Sequence, residues 1–349
     1  MFGEYVAYVG SYTRSKAKGI SIFDIDMEEG KLKFRKEVEI SNPSFIKIDD
    51  NKKILYAIQD AGLRAYKIKD DGELECLSEI GINGMRGCYI DIDTDGKYIY
   101  VAGYHDGKVT MISLNEDGSF DKITDEIFFK GMGKPYEDSY RPHVSCCKLT
   151  PFEKFLCVAD LSQNNYKVYD IDRDYGTLNQ TSIIPCELNS GPREIVFSQT
   201  GRFAYTVGTK NKQIEAFKYS SDEHKPEFTS IQKIKLLGKG MSEASAPYAI
   251  TRNHAGTYIL ASMVEDNSVT FIKRDKETGL MEIDFNLPIS GEFPKDIQFF
   301  PNDKYLVSVN HESNQLTVFE VDYEKKLIYM TQRPIDVYHP NCIRFVRLK

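Results

Sequence analysis

The chain has no tryptophan, and its seven cysteines and six histidines are few for 349 residues. Without tryptophan it does not belong among the propellers whose repeats carry a Trp-Asp pair. Cys76, Cys88, Cys146, Cys147, Cys157, Cys186 and Cys342 are odd in number and form no C-x-x-C pair. Neither a zinc knuckle nor a redox motif is expected from them. Several fall at inward strand positions, where a thiol acts as a small hydrophobe. The histidines share no metal-ligand spacing, so no metal and no cofactor are implied.

Other classes fall away on similar grounds. No apolar run approaches the length that spans a bilayer, so a membrane is not an expected partner. Met1-Phe2-Gly3-Glu4 holds neither a basic segment nor a long apolar one. No secretory signal is therefore expected, and a cytoplasmic location is. The formal net charge is −7 and the basic residues form no stripe, which argues against nucleic acid as a partner. Gly131-Met132-Gly133-Lys134 lacks the upstream glycine and following Ser/Thr of a phosphate-binding loop. His311-Glu312 is followed by Ser313-Asn314-Gln315 rather than a second zinc-binding histidine, and no G-x-S-x-G occurs.

What the chain does have is a repeat. Pro43-Ser44-Phe45-Ile46 leads to Leu55-Tyr56-Ala57-Ile58, and Gly87-Cys88-Tyr89-Ile90 leads to Ile99-Tyr100-Val101-Ala102. Further copies start at Val144-Ser145, Pro192-Arg193, Pro247-Tyr248 and Pro294-Lys295. A period of about 45–55 residues, with four short strands in each copy, is the signature of a β-propeller blade. The last copy, Pro340-Asn341-Cys342-Ile343-Arg344-Phe345, stops after one strand. The N-terminus starts with a second-strand pattern, Tyr5-Val6-Ala7-Tyr8-Val9. The spacing thus predicts an all-β, seven-bladed propeller forming one domain over residues 1–349, its first blade closed by the C-terminal strand at 342–346. Closure removes the open sheet edges that would otherwise template aggregation.

Strand direction sorts the loops onto two faces. Turns between first and second strands, such as Asp93-Thr94-Asp95-Gly96 and Ser198-Gln199-Thr200-Gly201, are short and uniform, and no site is expected among them. The opposite face gathers the blade-to-blade linkers, where the copies differ. Two linkers are long, residues 129–141 and 238–246, and variable insertions on one face of a repeat usually build its binding surface. Segments 131–140 and 238–245 are expected to form a lid. The position after each recurrent Pro or Gly should face the central channel: Ser44, Cys88, Ser145, Arg193, Tyr248, Lys295 and Asn341. His143, Glu194 and Asp296 stand beside them. Hairpins on the same face add Tyr12, Tyr104, His105, Asp106, Asp160, Asn310, His311 and Glu312.

The order of these segments resembles the seven-bladed lactonase family, which includes propeller-type 6-phosphogluconolactonases and fungal carboxymuconate cyclases. The resemblance runs from Tyr8-Val9-Gly10-Ser11-Tyr12-Thr13 through Asn42-Pro43-Ser44 and Arg141-Pro142-His143 to Gly191-Pro192-Arg193. It continues in Gly201-Arg202-Phe203-Ala204-Tyr205 and Phe293-Pro294-Lys295-Asp296. It implies a lactone hydrolase acting on an anionic sugar-acid lactone, with an altered constellation. Of the family's P-H-A-H histidines His143 is kept, and Ser145 replaces the second. Arg193 is the G-P-R arginine, and Lys295 replaces the arginine of F-P-R-D. Ala249 stands where an acidic residue is usual, with Glu243 in the preceding linker as a substitute. The resemblance therefore implies His143, Arg193 and Glu243 as the catalytic set. Lys295, Ser145, Tyr248, Asn341, Tyr104, His105, His311 and Tyr12 would surround the substrate. The alternative is a non-catalytic propeller binding a small anion or a protein on this face; a lyase or cycloisomerase would use similar groups. Oligomeric state stays open.

Overall fold

The computed structural model describes residues 4–131, 141–222, 225–238 and 240–348. They form seven antiparallel sheets, six of four strands and one of five. The seven inner strands touch one another in an unbroken ring. In chain order these are Ile46–Asp49, Tyr89–Ile92, Val144–Leu149, Pro192–Phe197, Ala246–Arg252, Pro294–Phe299 and Pro340–Arg347. The protein is a seven-bladed β-propeller. The last strand pairs with Tyr5–Ser11, placing Val6 opposite Val346 and Tyr8 opposite Arg344, so the ring closes as the sequence predicts.

Blade packing explains why the second strands are so apolar. Ile54–Gln59, Phe155–Asp160, Phe203–Gly208 and Tyr305–Asn310 are buried at every position, because a neighbouring blade covers each face. Outer strands such as Leu74–Gly81 reach solvent and mix polar residues in. Between blades one and two, Val6 and Tyr8 pack with Ile46 and Leu55. Buried tyrosines also tie four of the blades to the next. Tyr8 donates to Gly72 O at 2.8 Å, Tyr56 to Gly118 O at 2.8 Å and Tyr205 to Gly279 O at 3.1 Å. Tyr305 makes the equivalent bond to Glu28 O. Each acceptor lies in the outer hairpin of the following blade. Gly30, beside the last one, has φ 62°, and a Cβ there would sit 2.2 Å from the Tyr305 ring. Only glycine suits that turn.

One irregularity positions the site. In four inner strands the ladder breaks at its start, skipping one residue between Val144 and Cys146, Pro192 and Glu194, and Pro294 and Asp296, and two between Pro247 and Ile250. Where Pro340–Arg347 meets Tyr5–Ser11, the partners Pro340 and Cys342 likewise leave Asn341 unpaired. A bulge breaks the alternation of side chains and re-aims them. Ser145, Arg193, Lys295 and Asn341 are the extra residues, and all four turn into the channel. No helix among the described residues is long and apolar enough to cross a membrane.

Candidate active site

At the linker mouth the channel opens into a cavity of about 360 Å³. All seven positions expected to face the channel line it: Ser44, Cys88, Ser145, Arg193, Tyr248, Lys295 and Asn341. Most are linked head to tail around the ring. Ser44 donates to Gly87 O at 3.2 Å, Cys88 to Val144 O at 3.3 Å and Ser145 to Arg193 O at 2.9 Å. Arg193 Nε donates to Tyr248 O at 2.8 Å, and Lys295 Nζ to Asn341 Oδ1 at 2.6 Å. Each reaches the start of the next blade. Tyr248 makes the blade-six link through its ring, set edge-on to Phe293 at 5.4 Å. Tyr12, Tyr104 and His105 complete the expected lining.

Two of the cations at this mouth, Arg193 and Lys295, are held by neutral groups. The Arg193 guanidinium lies flat on Tyr248, 3.4 Å from the ring centre. Tyr12 is flanked by Lys295 at 4.4 Å and Arg86 at 4.7 Å. Among the described residues neither Arg193 nor Lys295 has a carboxylate within ion-pair distance, whereas Arg86 pairs with Asp60 at 2.9 Å. Below them, Asp296 is committed to structure. It pairs with Arg344 at 2.6 Å and accepts the Ile343 and Ile297 amides.

Glu194 differs from Asp296. It also lines the cavity, and its Oε2 accepts the Ile250 amide at 3.2 Å. No cation contacts it within ion-pair distance among the described residues. Burial, with the Asp296 charge added, pushes its pKa up to about 7 despite nearby Arg193 and Arg344. A carboxyl poised there can take or give a proton near neutrality.

Three expected site residues lie outside the lining. Glu243 is one: its side chain is 96 % exposed and pairs loosely with Lys212 at 3.7 Å. The linker carrying it runs on the surface, where Ser242 N is held by Asp266 at 3.0 Å. His143 lies one layer behind the wall, its ring stacked on Tyr104 at 4.4 Å and its Nδ1 2.8 Å from Ser162 Oγ. Burial lowers its pKa, partly offset by Asp160. His311 backs Tyr12 edge-on at 5.6 Å, its Nδ1 donating to Pro340 O at 3.0 Å. These two histidines buttress the lining tyrosines. Residues 132–140 and 239 of the expected lid lie outside the described residues, and the described part of 238–245 contributes nothing to the cavity wall. Among the described residues no group of three or more His, Cys, Asp or Glu is arranged to hold a metal.

The profile of the family described as "Lactonase, 7-bladed beta-propeller" matches residues 6–345. The chain belongs to that family. The 6-phosphogluconolactonase of Bacillus subtilis is 28% identical over 349 residues, covering 98% of this chain and 99% of its own. A 6-phosphogluconolactonase of Formosa agariphila is 25% identical, covering 91% and 92%. Among solved structures, the periplasmic gluconolactonase of Pseudomonas aeruginosa superposes with TM-score 0.92 at 22% identity, covering 99% of both chains. A putative 6-phosphogluconolactonase of Bacteroides fragilis gives 0.89 at 25% identity, covering 99% and 98%.

Within this family framework the altered positions acquire a geometry. Ala249 lines the cavity where the resemblance implies an acid, and Glu194 reaches from blade five to the amide of the very next residue, Ile250. A carboxyl from blade five thus lies beside the position at which blade six carries alanine. Glu194, Arg86 and Arg344 escaped the candidate set drawn from the sequence. Strict alternation would turn the residue after Arg193 away from the channel, and the bulge undoes that. Arg86 carried one usable signal, its place directly before the recurrent Gly87.

Proposed function

We propose that the protein hydrolyses an anionic sugar-acid lactone in the linker-mouth cavity, with Glu194 as the general base. The observation that carries this is one recessed carboxyl, Glu194, sharing the cavity wall with an arginine that has no carboxylate partner among the described residues, and burial pushes that carboxyl's pKa up to about 7. Family membership and the relatives' names support the choice of a lactone. As carboxylate, Glu194 would take a proton from water as the water oxygen bonds to the lactone carbonyl carbon. The negative charge that develops on the carbonyl oxygen would be met by Arg193, already fixed by Tyr248 and so needing little reorganisation. Collapse would break the ring C–O bond, and the departing alkoxide would recover the proton from Glu194. Arg86, across Tyr12, would leave its Asp60 partner to meet the substrate's anionic group.

The test is a panel of sugar-acid lactones, with and without a phosphate, assayed by acid release. Glu194→Gln should lower kcat by about 10²–10⁴-fold, the usual contribution of a positioned base, with a much smaller change in KM. Because the base must be ionised, kcat/KM should rise with pH through about 7. A Glu194→Gln enzyme with parental kcat, or no turnover of any lactone by the parent, would overturn the reading.

A further inference from the structure

Lys295 lies in the same cavity but has a different chemistry available. Its Nζ rests against Asn341, an amide, rather than a carboxylate. A carboxylate would hold the lysine as ammonium; an amide can accept from an ammonium or, turned over, donate to a neutral amine. Asn341 is 4 % exposed and its Nδ2 has no partner, so half of this amide is unused while Lys295 is charged. The surroundings oppose that charge. Arg193 faces Lys295 from blade five and Arg86 from across Tyr12. Cys342 approaches from the closing strand, and Glu312 and His311 from the hairpin of its own blade. Glu312 is the nearest-acting carboxylate, Glu194 and Asp296 share the cavity wall, and among the described residues none of them comes within ion-pair distance of Lys295.

We propose that Lys295 is a nucleophilic amine that condenses with the carbonyl of a small oxo acid, whose carboxylate is held by Arg193. The Nζ lone pair adds to the carbonyl carbon, the C=O π bond becomes a C–OH by proton transfer from the new ammonium, and water leaves to give the imine. One amine and one carbonyl thus yield one imine and one water. No oxidant or reductant is needed. The arrangement follows the logic of activated lysines elsewhere, a desolvated amine beside another cation. Burial, reinforced by Arg193 and Arg86, brings its pKa down to about 7. About half of it is then unprotonated at neutral pH, against roughly one in two thousand for an ordinary lysine. The inference goes beyond lactone hydrolysis and does not depend on it.

Cyanoborohydride, a hydride donor, reduces an imine to a stable secondary amine and so records it. The protein is incubated with pyruvate and cyanoborohydride at pH 7, digested, and every lysine peptide is quantified by mass spectrometry. Lys295 should be at least tenfold more occupied than any other lysine, and Lys295→Arg should remove that peak alone. Arg193→Ala should cut labelling by pyruvate about tenfold or more, while labelling by propanal, which has no carboxylate, should hardly change. Labelling of Lys295 at the level of surface lysines would overturn the amine assignment. Equal pyruvate labelling in Arg193→Ala would overturn the carboxylate anchor. Lactone turnover without labelling sinks this inference and leaves the hydrolase reading; labelling without turnover does the reverse.

Discussion

At the turn mouth, Lys47 and Lys148 grip the two oxygens of Asp91 at 2.8 and 2.9 Å. Nearby, Arg173 grips Asp93 at 2.5 Å. At the linker mouth, Arg193 and Lys295 rest on a carbonyl and an amide, and the adjacent Glu194 has no cation. Both ends of one channel are lined with charges of both signs, and the turn mouth is even the wider, at about 930 Å³. The difference lies in what the charges face. Paired ions neutralise one another and stabilise the ring; ions resting on neutral groups keep their field for a ligand.

The largest stability effect should come from Asp91→Asn. Asp91 is 3 % exposed and is held by two lysines and the Leu149 amide. Removing its charge strands two recessed ammonium groups. Breaking such a pair costs about 3–5 kcal/mol when buried; the lysines reach the wide mouth, so about 3 kcal/mol is expected. Chemical denaturation measures it directly. A loss below about 1 kcal/mol would erase the contrast between the two ends.

Arg193→Ala should do the opposite. It deletes a charge-assisted hydrogen bond to a bound anion, worth about 1.5–3 kcal/mol, or roughly ten- to hundredfold in affinity. The melting temperature should barely move, because no partner ion is stranded. Calorimetric titration with the hydrolysed acid, beside a melt of the same variant, tests both halves. Lys295→Ala should weaken binding less, since a flexible amine is a poorer anchor than the guanidinium fork.

The ends should also separate by pH. Burial alone would raise Asp91, but Lys148 and Lys47 hold it well below the usual carboxylate range. It therefore adds stability above about pH 4, and this is lost as pH falls further. Glu194 is the reverse case, with its folded pKa raised to about 7. Its contribution is complete below about pH 4.3 and declines as pH climbs from there to about 7. Glu194→Gln should flatten stability between about pH 4.3 and 7 and leave the acid limb in place. Asp91→Asn should reduce the acid limb and leave the neutral decline. Identical pH profiles for the two variants would contradict the assignment.

Much of this was legible in the chain because a propeller repeats its errors as well as its rules. The position after each Pro or Gly recurs in register, so one correct placement gave all seven channel residues, and the broken first blade announced its own closure. The bulges were not legible. Pro192-Arg193-Glu194 reads as an ordinary strand start, and only the pairing of Glu194 with Val207 shows that Arg193 is an extra residue. Glu194 therefore looked like a neighbour of the site. His143 was not placeable for a different reason: it stands where the chain order puts it, but Tyr104 from another blade stacks on its ring.

Glu243 supplies the smallest expected effect and a sharp check on the comparison. By sequence it was the natural stand-in for the acid missing at Ala249, being the nearest carboxylate upstream in chain order. In space its side chain projects into solvent from the surface of the linker, and its backbone carbonyl accepts from Lys212. The Lys212 bond to that carbonyl survives truncation of the side chain. An exposed position of this kind usually shifts stability by no more than about 0.5 kcal/mol. Glu243→Ala should therefore match the parent in melting temperature, in anion affinity and in lactone turnover, under conditions where Glu194→Gln has lost activity. A drop in kcat of tenfold or more in Glu243→Ala, with Glu194→Gln active, would mean that the linker swings in over the substrate and that the acid comes from blade six after all.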